Sequence, residues 1–276
     1  MALEEMTTNT SDERFMNGAS QYAAYLQTPE GRLRLDLAFA NVREFLPQAT
    51  RGLRALDLGA GTGAFAVRLA QLGFHVTLLD ASSEMLNIAQ HTALEARVAE
   101  RIALTHGEAG QLANLFEVGS FDLILCHNVL EFVDNPSEVL RAAARVLRDT
   151  SSTISVLVRN RLGEVTKAAL LNGDLAAAER NLTAEWGDES LYGGKVRLFT
   201  ADNLRAMLIA ASFAVIAERG VRVVSDFIPP KVSRTDEYER ILDLERKLGA
   251  QPEFGAVARY THLLARRRTP LMKNGV

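Results

Sequence analysis

Leu53-Arg-Ala-Leu-Asp-Leu-Gly-Ala-Gly-Thr-Gly63 is the stretch that decides the fold. Leu53 to Leu58 is a short apolar run carrying one carboxylate, Asp57, near its end, and Gly59, Gly61 and Gly63 follow at once. From Ala64 to Gly73 the apolar residues Phe65, Ala66, Leu69 and Ala70 recur at helical spacing. The order is therefore buried strand, glycine turn, helix. A second strand, Phe74 to Leu79, ends in Asp80. Together they predict the opening of a doubly wound, mostly parallel α/β sheet whose ligand site lies at the carboxyl ends of the strands. The glycines have a physical reason, because so tight a turn needs positive φ. They also let a ligand approach the backbone beside the free N–H groups of the following helix. Asp80 falls about twenty residues on, where a carboxylate can accept from a ribose diol.

Gly59, Gly61 and Ala64 also satisfy the dinucleotide pattern G-x-G-x-x-G/A, so the turn by itself leaves the nucleotide open. Asp57 adds a preference. A carboxylate at that strand tip repels a pyrophosphate and attracts a ligand with a cationic amino-acid end. S-adenosyl-L-methionine is such a ligand, carrying an ammonium and a sulfonium and no phosphate. Asp57-Leu-Gly-Ala-Gly-Thr-Gly63 resembles the first motif of the class I S-adenosylmethionine-dependent methyltransferases. That resemblance implies a Rossmann-like, seven-stranded methyltransferase fold with S-adenosyl-L-methionine as cofactor. Asp57, Gly59, Ala60, Gly61, Gly63, Asp80, Ala81 and Met85 are then the cofactor-binding candidates around the first two strand ends. The bland alternative for both aspartates is capping of the adjacent turn or helix.

Composition sets the bounds. A chain of 276 residues, 47% of them hydrophobic, can fill the core of one large domain. A net charge of −3 gives no sign of a strongly basic nucleic-acid binder, though it leaves room for a local basic face. The single cysteine, Cys126, sits in an apolar run and reads as a small buried hydrophobe. That usage suits a reducing, cytoplasmic setting. Met1 to Asn17 is polar and has none of the apolar core of a signal peptide, and no apolar run reaches membrane-spanning length. The expected partners are a methyl acceptor, with no membrane and no metal.

The expected organisation runs as follows. Residues 1–50 form a tail, disordered over 1–12, and covering helices at Phe15–Leu26 and Glu30–Leu46. Residues 51–268 form the methyltransferase domain, and 269–276 a C-terminal tail. Ser82 or Ser83 caps a helix reaching about Val98. Further strands fall at Arg101–His106, Phe121–Cys126 and Thr153–Val158, with a helix at Val139–Arg148. Residues 159–197 are too long for a simple connection and read as a helical insert, with helices at Glu164–Leu171 and Asp174–Trp186. This insert holds six basic and six acidic residues, so it is near neutral. It is expected to fold over the strand tips and shape the substrate pocket. A helix at Ala201–Ala211, a strand at Phe213–Val224 with Gly220 as a bulge, a helix at Thr235–Leu248 and a strand at Ala256–Ala265 complete the pattern. Arg266, Arg267 and Arg268 read as a solvated basic end.

A narrower resemblance rests on Glu30-Gly-Arg-Leu-Arg34, His127-Asn-Val-Leu-Glu-Phe132, Asn160 with Gly163, Gly220-Val-Arg-Val-Val-Ser-Asp-Phe227 and Arg259-Tyr-Thr-His262. These pieces span nearly the whole chain. They are similar to the bacterial tRNA methyltransferases that esterify 5-carboxymethoxyuridine at the wobble position. The resemblance implies that Arg34 contacts the cofactor at the cofactor's carboxylate, and that Gly59, Ala60, Asp80 and His127 line the cofactor site. In the wider fold, Glu108 and Ala109 stand where the adenine ring is met. The chain departs from the family in one place. Asp188-Glu-Ser-Leu-Tyr-Gly-Gly-Lys-Val-Arg197 stands where family members carry a lysine-rich run. Phosphate neutralisation supplies much of a tRNA binder's affinity, so the departure bears on the tRNA reading and not on the methyltransferase one.

A carboxylate acceptor is already ionised at neutral pH and needs alignment rather than a base. No residue is assigned as catalytic on that account. Arg197 and Arg222 are the candidates to orient the acceptor, with surface salt bridging as the alternative. His127 is the base candidate for a hydroxyl or amine acceptor, but the expectation is that it packs on or bonds to the cofactor. Three rivals remain at this level: a small-molecule methyltransferase acting on a metabolite or quinone precursor, an NAD-dependent oxidoreductase using the same turn, and a cofactor-binding module without catalysis.

Overall fold

The computed structural model describes residues 11–189 and 191–268. Its strands are β1 (Arg54–Leu58), β2 (His75–Asp80), β3 (Ile102–His106), β4 (Leu123–His127), β5 (Thr153–Arg159), β6 (Trp186–Asp188), β7 (Lys195–Arg197), β8 (Phe213–Val221) and β9 (Tyr260–Arg267). The helices that matter below are α1 (Ser11–Gln27), α2 (Pro29–Arg43), α3 (Ala64–Gln71), α4 (Ser83–Glu95), α5 (Leu112–Leu115), α6 (Pro136–Val146), α7 (Arg161–Thr166), α8 (Leu175–Asn181), α9 (Ala201–Ala210) and α10 (Tyr238–Gly249). A seven-stranded sheet has the order β3-β2-β1-β4-β5-β9-β8, and β6 and β7 make a separate two-stranded hairpin. Neighbours from β3 to β5 run parallel, and β9 is antiparallel to both β5 and β8. The fold class is thus the doubly wound α/β sheet read from the glycine turn. The strand order reverses between β1 and β4, which places the crevice at their carboxyl ends.

Both faces of the sheet are covered. One apolar layer joins Ala55, Leu78, Leu125, Leu157 and Leu264 to Leu33 and Leu37 of α2, Phe65 and Leu69 of α3, and Ile241 of α10. The other joins Leu56, Leu58, Ile124, Cys126, Val156 and Leu263 to Val139 and Leu140 of α6 and Leu204 and Leu208 of α9. Residue parity explains the split, because successive strand side chains point to opposite faces. The parity also puts Asp57, His127, Ser155 and His262 on the α2–α3 side. Thr28 caps α2 by accepting from the Gly31 N–H, Ser82 caps α4 through the Met85 N–H, and Asn135 caps α6 through the Glu138 N–H.

Several boundaries differ from the sequence reading. Residues 1–10 and 269–276 lie outside the described residues, but Ser11 and Asp12 are helical, within α1. The helix expected through Trp186 stops at Asn181, and Trp186 opens the β6–β7 hairpin instead. The first insert helix changes to a π-helical turn at Lys167–Leu171. The bulge in β8 falls between Val215 and Ala217, not at Gly220. Gly220 serves close packing: a Cβ there would stand 2.7 Å from Gly255 Cα and 2.8 Å from Ala258 Cβ. The last strand begins at Tyr260 rather than Ala256. Arg267 is not simply solvated, since its guanidinium donates to the Leu147 carbonyl at 2.6 Å.

One buried carboxylate fixes the turn that leaves β8. Glu245 of α10 is fully buried and accepts from the backbone N–H groups of Val223, Val224 and Ser225 at 2.6, 2.9 and 2.6 Å. This turn carries Arg222 in the left-handed region, with φ of 61°. Replacing Glu245 with alanine would leave three backbone donors without acceptors, two of them buried and one half-buried, each buried one worth about 1–3 kcal/mol. We expect Glu245→Ala to lower unfolding free energy by at least about 2 kcal/mol in urea titration, and Glu245→Gln, which keeps one acceptor oxygen, to lose less.

Candidate functional site

A cleft of about 850 Å³ opens over the carboxyl ends of β1, β2, β4 and β5. Of the sequence candidates, Arg34, Gly59, Gly61, Asp80, Ala81, Met85, Glu108, Ala109 and His127 line it. Asp57 and Ala60 line a smaller chamber of about 50 Å³ beside it, which Arg34, Gly59 and His127 also border. Gly63 borders neither and has a packing role. It has φ of 72°, and a Cβ there would stand 2.9 Å from Ala89 Cβ.

The glycine turn is built as the spacing requires. Gly59 and Gly61 have φ of 66° and 53°. A Cβ on Gly59 would sit 2.4 Å from Val129 Cγ2, and one on Gly61 would sit 3.1 Å from the Tyr22 ring. The Gly61 N–H donates to Asp80 Oδ2 at 2.7 Å, and the Ser82 N–H donates to Asp80 Oδ1 at 2.9 Å. Each Asp80 oxygen keeps a lone pair for a ligand diol. Burial pushes the Asp80 carboxyl above the ordinary carboxylate range, against those N–H groups.

Asp57 is different. It is 4% exposed, and its Oδ2 has no hydrogen-bond partner. Burial, with Asp80 nearby, raises its pKa to about 7. A buried, unpartnered carboxylate oxygen is costly unless something completes it. A ligand ammonium does so, and a pyrophosphate does not.

On the other side of the chamber stands a buried cation. The Arg34 guanidinium donates to Asn128 Oδ1 at 2.9 Å and to the Tyr22 hydroxyl at 2.8 Å. It lies 5.5, 5.1 and 5.8 Å from the ring centroids of Tyr22, Tyr25 and Tyr260. Its neighbours are aromatic faces and hydroxyls, which attract a cation without neutralising it. Asp57 and Arg34 thus leave one anion and one cation at a single chamber, the complement of a zwitterionic amino-acid end. These residues fit S-adenosyl-L-methionine.

The insert covers the cleft. Arg159, at the end of β5, donates to the Asp188 carbonyl at 2.9 Å and to Glu189 Oε2 at 2.7 Å. The Arg197 N–H donates to the Glu131 carbonyl at 3.1 Å. Glu189, Leu191, Tyr192 and Val196 of the hairpin region therefore line the cleft, and the Tyr192 ring stands 6.1 Å from Tyr22 and 6.0 Å from Phe132. Neither acceptor candidate is among the lining residues. Arg197 stacks over Trp186 at 4.7 Å, while Arg222 is bound to Asp226 and to the Tyr25 hydroxyl. Arg159, Tyr260 and Glu131 line the cleft in their stead. Tyr260 had signalled itself only as part of a resemblance, and Arg159 only as the start of the insert. Its place at a strand's carboxyl end was the available clue.

Residues 30–218 match the methyltransferase domain family. The chain belongs to that family. It is 28% identical over 264 residues to the tRNA 5-carboxymethoxyuridine methyltransferase of Escherichia coli K12, an overlap covering 93% of this chain and 97% of that protein. The ubiquinone biosynthesis O-methyltransferase of Xanthomonas oryzae is 34% identical over 99 residues, or 35% of this chain and 39% of that protein. A Thermotoga maritima S-adenosylmethionine-dependent methyltransferase of known structure superposes with a TM-score of 0.63 at 17% identity, covering 92% and 99% of the two chains. This methyltransferase uses S-adenosyl-L-methionine as its cofactor. No helix among its described residues is long and apolar enough to cross a membrane.

A pH dependence follows from Asp57. A ligand cation at Asp57 binds the ionised form, whereas the free protein holds a proton there below about pH 7. Binding must then expel that proton, so affinity is full above pH 7 and falls as pH drops, by about tenfold per unit at most. Calorimetric Kd values for S-adenosyl-L-methionine at pH 6 and pH 8 should differ in that direction. Asp57→Asn should weaken binding at pH 8 and flatten the slope. It should also raise Tm at pH 8, because the stability that the protonated carboxyl contributes, roughly 4 kcal/mol at the upper bound, is lost as pH rises from about 4 to about 7 and is absent above that.

Proposed function

We propose that this methyltransferase forms the methyl ester of 5-carboxymethoxyuridine at the tRNA wobble position. The observation that carries the reading is the extent of the likeness to the tRNA methyltransferase, which covers 93% of this chain and 97% of that protein. The quinone-pathway relative covers only 35%.

The interior of the cleft supports an anionic acceptor. Burial raises the Tyr260 hydroxyl, but the guanidiniums of Arg34, Arg222, Arg259 and Arg159 outweigh it and bring its pKa down to about 8. Asp226 pairs with Arg222, Glu189 with Arg159, and Glu164 with Arg159 and Arg259. Glu131 is a fourth carboxyl group beside Arg159, with burial pushing it above the ordinary carboxylate range. At the Tyr260 hydroxyl itself the four guanidiniums prevail, and an acceptor carboxylate is favoured there.

Bound S-adenosyl-L-methionine supplies an electrophilic methyl group. Asp57 and Arg34 hold the amino-acid end, Asp80 the ribose, and the glycine turn admits the ligand against the backbone. Tyr192 and the hairpin wall one side of the cleft, and less water there would strengthen the charge interactions inside. Arg159 and Tyr260 are the groups on hand to orient an incoming carboxylate. Such an acceptor has no proton to lose, so these side chains serve by alignment.

A second reading is methylation of a small hydroxylated molecule. The quinone-pathway relative and the near-neutral insert favour it. Turnover to S-adenosylhomocysteine separates the two. With tRNA bearing 5-carboxymethoxyuridine we expect turnover, a base-labile ester and a KM that rises steeply with salt, as phosphate contacts require. Unmodified tRNA should give none. Turnover with a phenolic quinone precursor, salt-independent and without tRNA, would overturn the tRNA reading.

A further inference from the structure

A polar chain crosses the apolar layer beneath α2. His127 Nε2 and Ser155 Oγ lie 2.8 Å apart, Ser155 Oγ and His262 Nε2 2.7 Å, and His262 Nδ1 and Asn41 Nδ2 3.1 Å. Ser155 and His262 are fully buried and Asn41 nearly so. The two imidazoles meet edge to face at 5.3 Å, and Phe65 packs on His127 at 5.0 Å. Four polar side chains in an apolar layer must satisfy one another.

With the Asn41 amide nitrogen on His262 Nδ1, one arrangement leaves no proton of the chain without an acceptor in it. The amide nitrogen of Asn41 can only donate, so His262 Nδ1 accepts. A neutral imidazole carries one N–H, which His262 then holds on Nε2 and gives to Ser155 Oγ. The single Ser155 proton goes to His127 Nε2, which accepts. The His127 proton is left on Nδ1, the nitrogen outside the chain, on a residue that borders the cleft. Both rings are neutral. Burial, then His262 and Arg34, hold His127 well below the usual histidine range, and burial with Arg219 brings His262 to about 3.

We propose that Asn41, acting through His262 and Ser155, fixes His127 in the Nδ1–H tautomer, so that His127 offers the cleft a hydrogen-bond donor and has no lone pair with which to take a proton from the methyl acceptor. Asn41, Ser155 and His262 are positioning residues for that donor. The consequence is a restriction on substrate class: His127 serves an acceptor that arrives ionised, such as a carboxylate, and cannot activate a hydroxyl. This consequence rests on the proposed function, while the tautomer stands independently of it.

Imidazole nitrogen shifts test the tautomer directly. In long-range proton–nitrogen correlation spectra of the full-length, nitrogen-15-labelled protein at pH 7.5, the His127 signals are assigned by their loss in His127→Gln. The wild type should show a protonated Nδ1 and an acceptor Nε2 at His127. An Nε2–H ring, or an average of both forms, would overturn the proposal, and this measurement needs no folded positioning variant. Ser155→Ala should convert His127 to a tautomer mixture, and a persisting single Nδ1–H form there would overturn the relay. A parallel titration with S-adenosyl-L-methionine keeps the readings apart, since failure to bind would count against the cofactor site while leaving the His127 spectrum to decide the relay.

Discussion

A carboxylate buried at a strand tip with one oxygen unpartnered is the constraint on which this protein depends. Asp57 sits on β1 where apolar side chains would pack better, and burial raises its pKa to about 7. The fold tolerates it because the next residues cannot close over it. Gly59 and Gly61 turn the chain in the left-handed region and leave the backbone bare. A site of this kind selects by sign. It leaves a costly group that a ligand ammonium would complete and a phosphate would not.

Arg34 is the counterpart. It places a cation among tyrosines rather than carboxylates, so its charge stays available to a ligand. The two groups come from distant parts of the chain, β1 and the N-terminal α2, and meet only because α2 packs in the same apolar layer as α3. The insert closes the arrangement. Its hairpin is tied to β5 through Arg159 with Asp188 and Glu189 and walls the larger cleft, while the chamber beside Asp57 is bordered by α1, α2 and the glycine turn.

The sheet was legible in the sequence because its strands carry the strongest local signals, a glycine turn and fully apolar runs. The insert was not, since β6 and β7 are three residues each and Trp186 lies in no periodic pattern. Its hairpin exists through long-range contacts to Glu131 and Arg159. The cofactor candidates clustered around Asp57 and Asp80 could be read because they are consecutive with the turn. The acceptor side could not. Arg222 read as an acceptor contact or a surface salt bridge, and it is held in a buried pair with Asp226 and by Tyr25, whereas Tyr260 reaches the cleft from a strand inserted antiparallel beside β5. The Asn41–His262–Ser155–His127 chain draws on four separate elements, and no spacing rule brings them together.

The central claim is that the chamber between Asp57 and Arg34 recognises a zwitterionic, phosphate-free nucleoside. Side-by-side calorimetric titrations of the full chain at pH 8 with S-adenosyl-L-methionine and with NAD test it most directly. The account predicts saturable one-site binding of S-adenosyl-L-methionine and no heat with NAD. Tighter binding of NAD would contradict it.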